Sequence, residues 1–154
     1  EKLRPLLFEN GKRTGYITSF NLYSRFGLTT QLPMTVTIAR NGSRKNKNLG
    51  NFSVKIIPSK APITEDNIPY LEILDVVRTI SQIPDTSVAT TIVRLRSLIQ
   101  NNNNIKIENL INTAIAYYPP ATRFILAKII ASFSSQLEER LRKSLNPGSR
   151  FRIT

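Results

Sequence analysis

Neither cysteine nor histidine occurs among the 154 residues. The first absence removes disulfides, thiolate metal sites and cysteine nucleophiles together, a composition that fits a reducing cytoplasm. The second removes the commonest general base and the commonest metal ligand, so any metal site would have to be all oxygen. No apolar run approaches the length needed to span a bilayer, and no signal peptide opens the sequence. A cytoplasmic chain with no membrane partner is therefore expected. Acidic residues are scarce in the front part: residues 1–60 hold 11 Lys and Arg against Glu1 and Glu9 alone, and residues 61–154 hold 11 against 8. Of the net charge of +12, the front part thus carries +9 and the remainder +3. Such asymmetry predicts a polyanionic partner for the front half, either nucleic acid or an acidic protein.

What is present suffices for one globular domain, 1–154, with a sizeable core. The first residue is Glu1 rather than Met, which leads us to expect a fragment of a longer protein. Lys2 to Phe8 reads as a short helical or extended lead-in limited by Pro5, and Asn10-Gly11 marks a turn. The string Gly11-Lys12-Arg13-Thr14-Gly15 is a poor match to a phosphate-binding loop, since no strand clearly precedes it and the Gly-Lys-Ser/Thr ending is missing. Residues 15–38 form a joint: an entry segment, an aromatic helix with Phe20, Tyr23 and Phe26 in the core, a cap at Gly27, and a strand. Met34, Val36 and Ile38 share one face of that strand, and Thr35, Thr37 and Ala39 the other. Phe52 to Ile57 repeats the alternation, so the two are predicted to pair antiparallel around an exposed loop, 41–51.

The back half reads as helices. Asn67 is the expected cap of a helix to about Gln82 that is apolar around most of its circumference, with a narrow polar stripe including Glu72, Asp75 and Arg78. Such a helix is central and should pack on the sheet. After Ile83-Pro84-Asp85-Thr86, a turn and cap, Val88, Ile92, Leu95 and Ile99 define a one-sided helix. Ile107 to Tyr118 follows, then a helix from Pro120 with few charges, whose surface must be buried by the core or by another chain. Gln136 to Leu145 is a charged helix, and Arg150 to Ile153 alternates like an edge strand. The expected class is α/β (α+β): a small, mainly antiparallel sheet over residues 34–40, 52–57 and 150–153, packed against several helices.

Chemistry-bearing clusters are few. Glu72 and Asp75, three apart on a helix, are the one helical carboxylate pair that could hold Mg²⁺ as a metal-dependent nuclease requires; an i,i+3 contact of Asp75 with Arg78 on an exposed stripe is the simpler reading. Tyr117 and Tyr118 read as packing residues. No catalytic, cofactor or metal residues are assigned, and the chain is not expected to be an enzyme. The basic surface is the candidate site: Lys12, Arg13, Arg25, Arg40, Arg44, Lys45 and Lys47, contacting phosphates without reading bases or meeting an acidic protein.

Several strings carry a resemblance. Gly15-Tyr16-Ile17-Thr18 leads to Gly27-Leu28-Thr29-Thr30-Gln31-Leu32-Pro33; then come Asn67-Ile68-Pro69, Ile83-Pro84-Asp85-Thr86, Tyr118-Pro119-Pro120 with Arg123, and Leu145-Asn146-Pro147. In order and spacing they resemble the C-terminal region of an uncharacterised bacterial family grouped with AbiEi-type antitoxins, the autorepressors of type IV toxin–antitoxin (abortive-infection) systems. The resemblance implies a protein whose N-terminal winged helix-turn-helix, absent from this chain, binds promoter DNA. The C-terminal part would neutralise a nucleotidyltransferase-like toxin, self-associate and add DNA contact, with no cofactor. Alternatives are a protein-interaction module with no DNA role and, more remotely, the metal-dependent nuclease. Gln31 and its neighbouring threonines are expected to fix their turn by bonding to backbone.

Overall fold

The structure, a computed structural model, describes residues 3–41, 47–48 and 53–145, with no description of the side chains of 47 and 48. The predicted strand 150–153, Phe52, Arg44 and Lys45 lie outside the described residues. Helix α1 (Arg4–Leu7) carries proline in its first turn. Strands β1 (Phe8–Glu9) and β2 (Lys12–Arg13) pair antiparallel across Asn10-Gly11. Both turn residues have positive φ, 53° and 78°, as a two-residue hairpin turn that matches strand twist requires.

The predicted entry segment is instead a strand. β3 (Gly15–Thr18) pairs antiparallel with β4 (Thr35–Arg40), from Gly15 against Arg40 to Thr18 against Thr37. Gly15 is needed for packing: a Cβ there would meet the Leu6 carbonyl oxygen at 2.5 Å. A second expectation is also overturned. β6 (Ser53–Pro58) runs parallel to β4, with Thr35 beside Ser53 and Arg40 beside Pro58. The intervening chain reverses twice: β5 (Lys47–Asn48) pairs antiparallel with β6, in the sheet order β3-β4-β6-β5. The chain thus passes one strand position beyond β4 and hairpins back into the gap. Alternation in a strand does not encode its direction, and the connection is long enough for a parallel return.

Both faces of the sheet are covered. Ile38, Val54 and Ile56 gather with Leu6, Leu3 and Leu7 into a small core under α1. On the other face Tyr16 and Ala39 join the main, helical core. Thr37, Ile38 and Ala39 are consequently all buried, and β4 does not show the one-sided burial its alternation suggested.

Helix α2 (Phe20–Arg25) ends as its sequence dictates. Gly27 (φ +72°) lets the Leu28 N–H reach the Tyr23 carbonyl at 2.8 Å and its own N–H reach Ser24 at 3.0 Å, a Schellman closure. Tyr23 is buried and Phe26 packs at the core edge, but Phe20 is 38% exposed, because it opens the helix on the solvent side. α3 (Ile68–Arg78) is central as expected, with Leu71, Leu74, Val76 and Val77 fully enclosed. It stops before the predicted Gln82; a 3-10 turn, Ile80–Gln82, follows. Asn67 does not cap through its side chain, which donates to the Pro62 carbonyl, while Thr64 Oγ1 accepts the Asn67 N–H. α4 (Val88–Gln100) is capped by Ser87, one residue beyond Thr86, through the Thr90 N–H. α5 (Ile107–Tyr117), α6 (Pro120–Ile130) and α7 (Ser135–Lys143) complete the layer. α6 buries Leu126, Ala127, Ile129 and Ile130 completely, within the main core of this chain. The architecture is α+β, and no described helix is long and apolar enough to cross a membrane.

Because the methyl of Gly15→Ala would press on backbone, which cannot rotate away, the variant is expected to lose about 3 kcal/mol of stability. Gly11→Ala places its methyl in open space and is expected to lose only about 1 kcal/mol, for positive φ. Urea unfolding of the two variants checks the order; a milder Gly15→Ala would refute the close-packing account.

Candidate functional site

One residue of α3 breaks its apolar character from inside. Asp75 is not on an exposed stripe beside Arg78 but accepts three hydroxyl hydrogen bonds. Tyr16 Oη and Thr18 Oγ1 donate to its Oδ2 at 2.6 and 2.7 Å, and Tyr118 Oη donates to its Oδ1 at 2.5 Å. Tyr16 and Thr18 fall on the same face of β3 because they are two apart, and Tyr118 stands at the C-terminal end of α5. Thr79, one turn beyond, donates to the Asp75 carbonyl and shares a short hydrogen bond with the Tyr23 hydroxyl. Burial pushes the Asp75 carboxyl up from its ordinary pKa, against the opposing pull of the three hydroxyls and the Arg78 charge. Burial, and next the Asp75 charge, also raise the phenols of Tyr16 and Tyr118. With their protons directed at Asp75 these phenols act as donors and not as bases. Tyr118 is therefore more than the packing residue its position beside two prolines suggested.

These groups floor a cavity of about 270 Å³ between the sheet and α3. That is at the small end of ligand-site volumes, about 300 Å³ and upward. Ala39, Ile57 and Ala61 give apolar walls, and Lys60, Arg78 and Tyr117 line it from exposed positions. Ser19, also lining it, has φ 65° and ψ −131°, a conformation costing a non-glycine residue about 1–3 kcal/mol. Glu72 does not share a face with this site: it pairs with Arg25 of α2 at 2.6 Å. The two carboxylates behind the nuclease reading thus point to separate partners, and the described residues include no group of three acidic side chains placed to hold a metal.

The predicted basic residues are only partly brought together. Lys12 and Arg13 lie on β2, and Arg40 ends β4 beside Gly15. Arg13 donates to the Gly15 carbonyl at 2.7 Å and lies 3.4 Å from Glu65; Arg40 is largely enclosed and 3.8 Å from Glu9. Arg4 joins this end, its guanidinium 4.6 Å from the Phe8 ring centre, with that of Arg13 at 5.0 Å from the same ring. Composition alone could not find Arg4; its i,i+4 spacing to Phe8 was the available signal. Arg25 is elsewhere, bound to Glu72. Lys47 pairs with Val54 and hence lies level with Val36, about 13 Å of strand away from Arg40.

The motif strings mark joints between elements. Thr29 Oγ1 accepts the Gln31 N–H, as expected of this connector, but the Gln31 side chain donates to Asp85 at 2.7 Å and not to backbone. The second string is thereby tied to the fourth. Arg94 of α4 donates to the Phe26 carbonyl at the end of α2, and Arg123 donates to the Ser144 carbonyl at 2.6 Å. Comparison with protein-family models, curated proteins and solved structures gave no match for the chain.

The raised Asp75 carboxyl fixes the sign of a pH effect. Its folded pKa exceeds its unfolded one, so the native state holds an extra proton between them, and this group's contribution to stability falls as pH rises through that window. Relative to Asp75→Asn, the native chain is expected to lose stability from about pH 4 upward, by at most about 1.4 kcal/mol per pH unit. Urea midpoints of both proteins across pH check this; a difference independent of pH would overturn it. Tyr118→Phe, which strips Oδ1 of its donor, is expected to cost about 1–3 kcal/mol.

Proposed function

We propose that the chain is the non-catalytic C-terminal domain of an AbiEi-like antitoxin and transcriptional regulator. It acts by binding: in toxin neutralisation, self-association and auxiliary contact with the DNA backbone. The observation that supports the anionic-partner part of this reading is the arrangement of Arg4 and Arg13 about Phe8, beside Lys12. Resting on the ring leaves the Arg4 N–H edges free for phosphate or carboxylate oxygens, whereas Arg13 already spends its Nε on the Gly15 carbonyl and faces Glu65. Lys12, next to Arg13 on β2 and opposite Glu9, lies on the other face of the hairpin from the Phe8–Arg13 pair, and Arg4 and Lys12 are exposed. Glu9 and Glu65 temper this charge without cancelling it, since contacts of 3.8 and 3.4 Å to two largely exposed carboxylates are long for ion pairs. Arg44 and Lys45 follow Asn41 in sequence and belong to the same reading; Arg25, already paired with Glu72, drops out of it.

A second observation favours protein partners. Leu32 and Met34, on either side of Pro33, are 81% and 79% exposed, large apolar side chains presented on an extended connector. They suit self-association or a toxin surface better than a polyanion, and an interaction module with no DNA role remains the alternative.

Non-specific DNA binding by the chain is expected to weaken when Arg4, Lys12 and Arg13 are replaced together by Ala, with the slope of log K against log salt falling by at most about 2.7. Arg25→Ala is expected to leave both unchanged. Fluorescence anisotropy on a duplex over a range of salt decides it, and an unaltered slope in the triple variant would remove DNA contact from this reading.

A further inference from the structure

The lining of the cavity under the sheet carries groups of both signs. At its floor the protons of Tyr16, Thr18 and Tyr118 are all directed to Asp75. An ionised carboxylate offers about four acceptor positions, so one remains, and in that form this group has no proton to give a ligand. An anionic group placed there would meet another negative charge in a partly buried site. Only an N–H donor, best a cationic one, matches. Lys60 and Arg78 also line the cavity, from exposed positions. Neither makes a hydrogen bond or ion pair among the described residues; Arg78 acts on Asp75 through its charge alone. These two side chains offer donors and positive charge only, and match a phosphate or carboxylate. Ala39, Ile57 and Ala61 supply apolar lining.

We propose that this cavity binds a small zwitterion, its ammonium against Asp75 and its phosphate or carboxylate held by Lys60 and Arg78. The volume of about 270 Å³ suits a molecule of amino-acid or phosphoamino-acid size, and the acceptor floor turns away simple anions. None of these residues belongs to the basic hairpin, so the site stands or falls independently of DNA or toxin binding.

The test is a titration of the 154-residue chain with O-phospho-L-serine, followed by amide chemical shifts and calorimetry. Saturable binding is expected, with shifts centred on Ser19, Ala61 and Arg78. Lys60→Ala and Arg78→Ala are each expected to weaken it about tenfold, and Lys106→Ala, an equal charge loss on the far side, to leave it unchanged. Inorganic phosphate, which has no ammonium, should bind at least about tenfold more weakly. Asp75→Asn should bring the two probes closer in affinity; if that variant fails to fold, the comparison of probes on the native chain decides instead. Absence of saturable binding up to about 10 mM, equal affinity in the Lys60 and Arg78 variants, or phosphate binding as tightly as phosphoserine would each overturn the proposal.

Discussion

A half-buried carboxylate on a helix that is otherwise mostly core is costly unless its oxygens are satisfied. Asp75 therefore imposes a constraint on everything around it. Its three donors come from β3 and from the end of α5, elements separated from α3 by long stretches of chain. Each bond fixes a distance between layers: β3 against α3 on one side, α5 against α3 on the other. Apolar packing alone tolerates sliding, since many registers bury similar area. Three hydroxyls converging on one carboxylate do not. The Tyr23–Thr79 contact, one turn further along, ties α2 into the same junction. The cavity follows from this arrangement: an array of directional polar contacts cannot close up around a point as aliphatic side chains do, and space remains beside it.

How much of this was legible depended on the range of the contacts involved. The helices of the back half announced themselves, because Val88, Ile92, Leu95 and Ile99 repeat at helical spacing and Pro120 starts a helix with φ already set. Gly27 and Asn10-Gly11 were legible for a local reason as well, since positive φ selects these residue types wherever the fold goes. β3 was missed because four residues are too few to display alternation, and both its faces are covered. The direction of β6 depended on where the chain travels between strands, which the strand's own residues do not record. Asp75 was misplaced for a sharper reason. Its nearest candidate partner in sequence, Arg78, satisfied an ordinary i,i+3 rule, whereas its actual partners lie 43 to 59 positions away. The available signal was on the other side of the contact: Tyr16 and Thr18 put two hydroxyls on one face of a strand facing an apolar helix, and such a face needs an acceptor.

The charge asymmetry of the sequence survives, but in altered form. A count of cations treats Arg25 and Lys12 alike, yet Arg25 is held by Glu72 while Lys12 makes no hydrogen bond or ion pair among the described residues. Arg13 and Arg40 fall between, each with a carboxylate nearby at long range. What remains at the hairpin end is a smaller set of cations than the net charge suggested, sharpened by Phe8. The apolar connector residues Leu32 and Met34 could not be separated from core residues by pattern, because Pro33 interrupts the alternation of the strand they precede.

Two groups of cations thus offer different recognition. Those of the hairpin sit in high dielectric, where interactions fade beyond a Debye length of about 8 Å at physiological salt. They respond to the density of negative charge on a partner and to little else. Lys60 and Arg78 line a cavity that also holds the Asp75 carboxyl, whose hydroxyl donors are already engaged. A ligand there is sorted by the signs of charge it carries, and salt screens the half-buried carboxyl less than the exposed cations. Ser59, whose N–H bonds the Arg40 carbonyl at 3.2 Å, places both groups at one end of the sheet. The same edge therefore carries a coarse electrostatic surface and a site selective for polarity, and ionic strength is the variable that separates them.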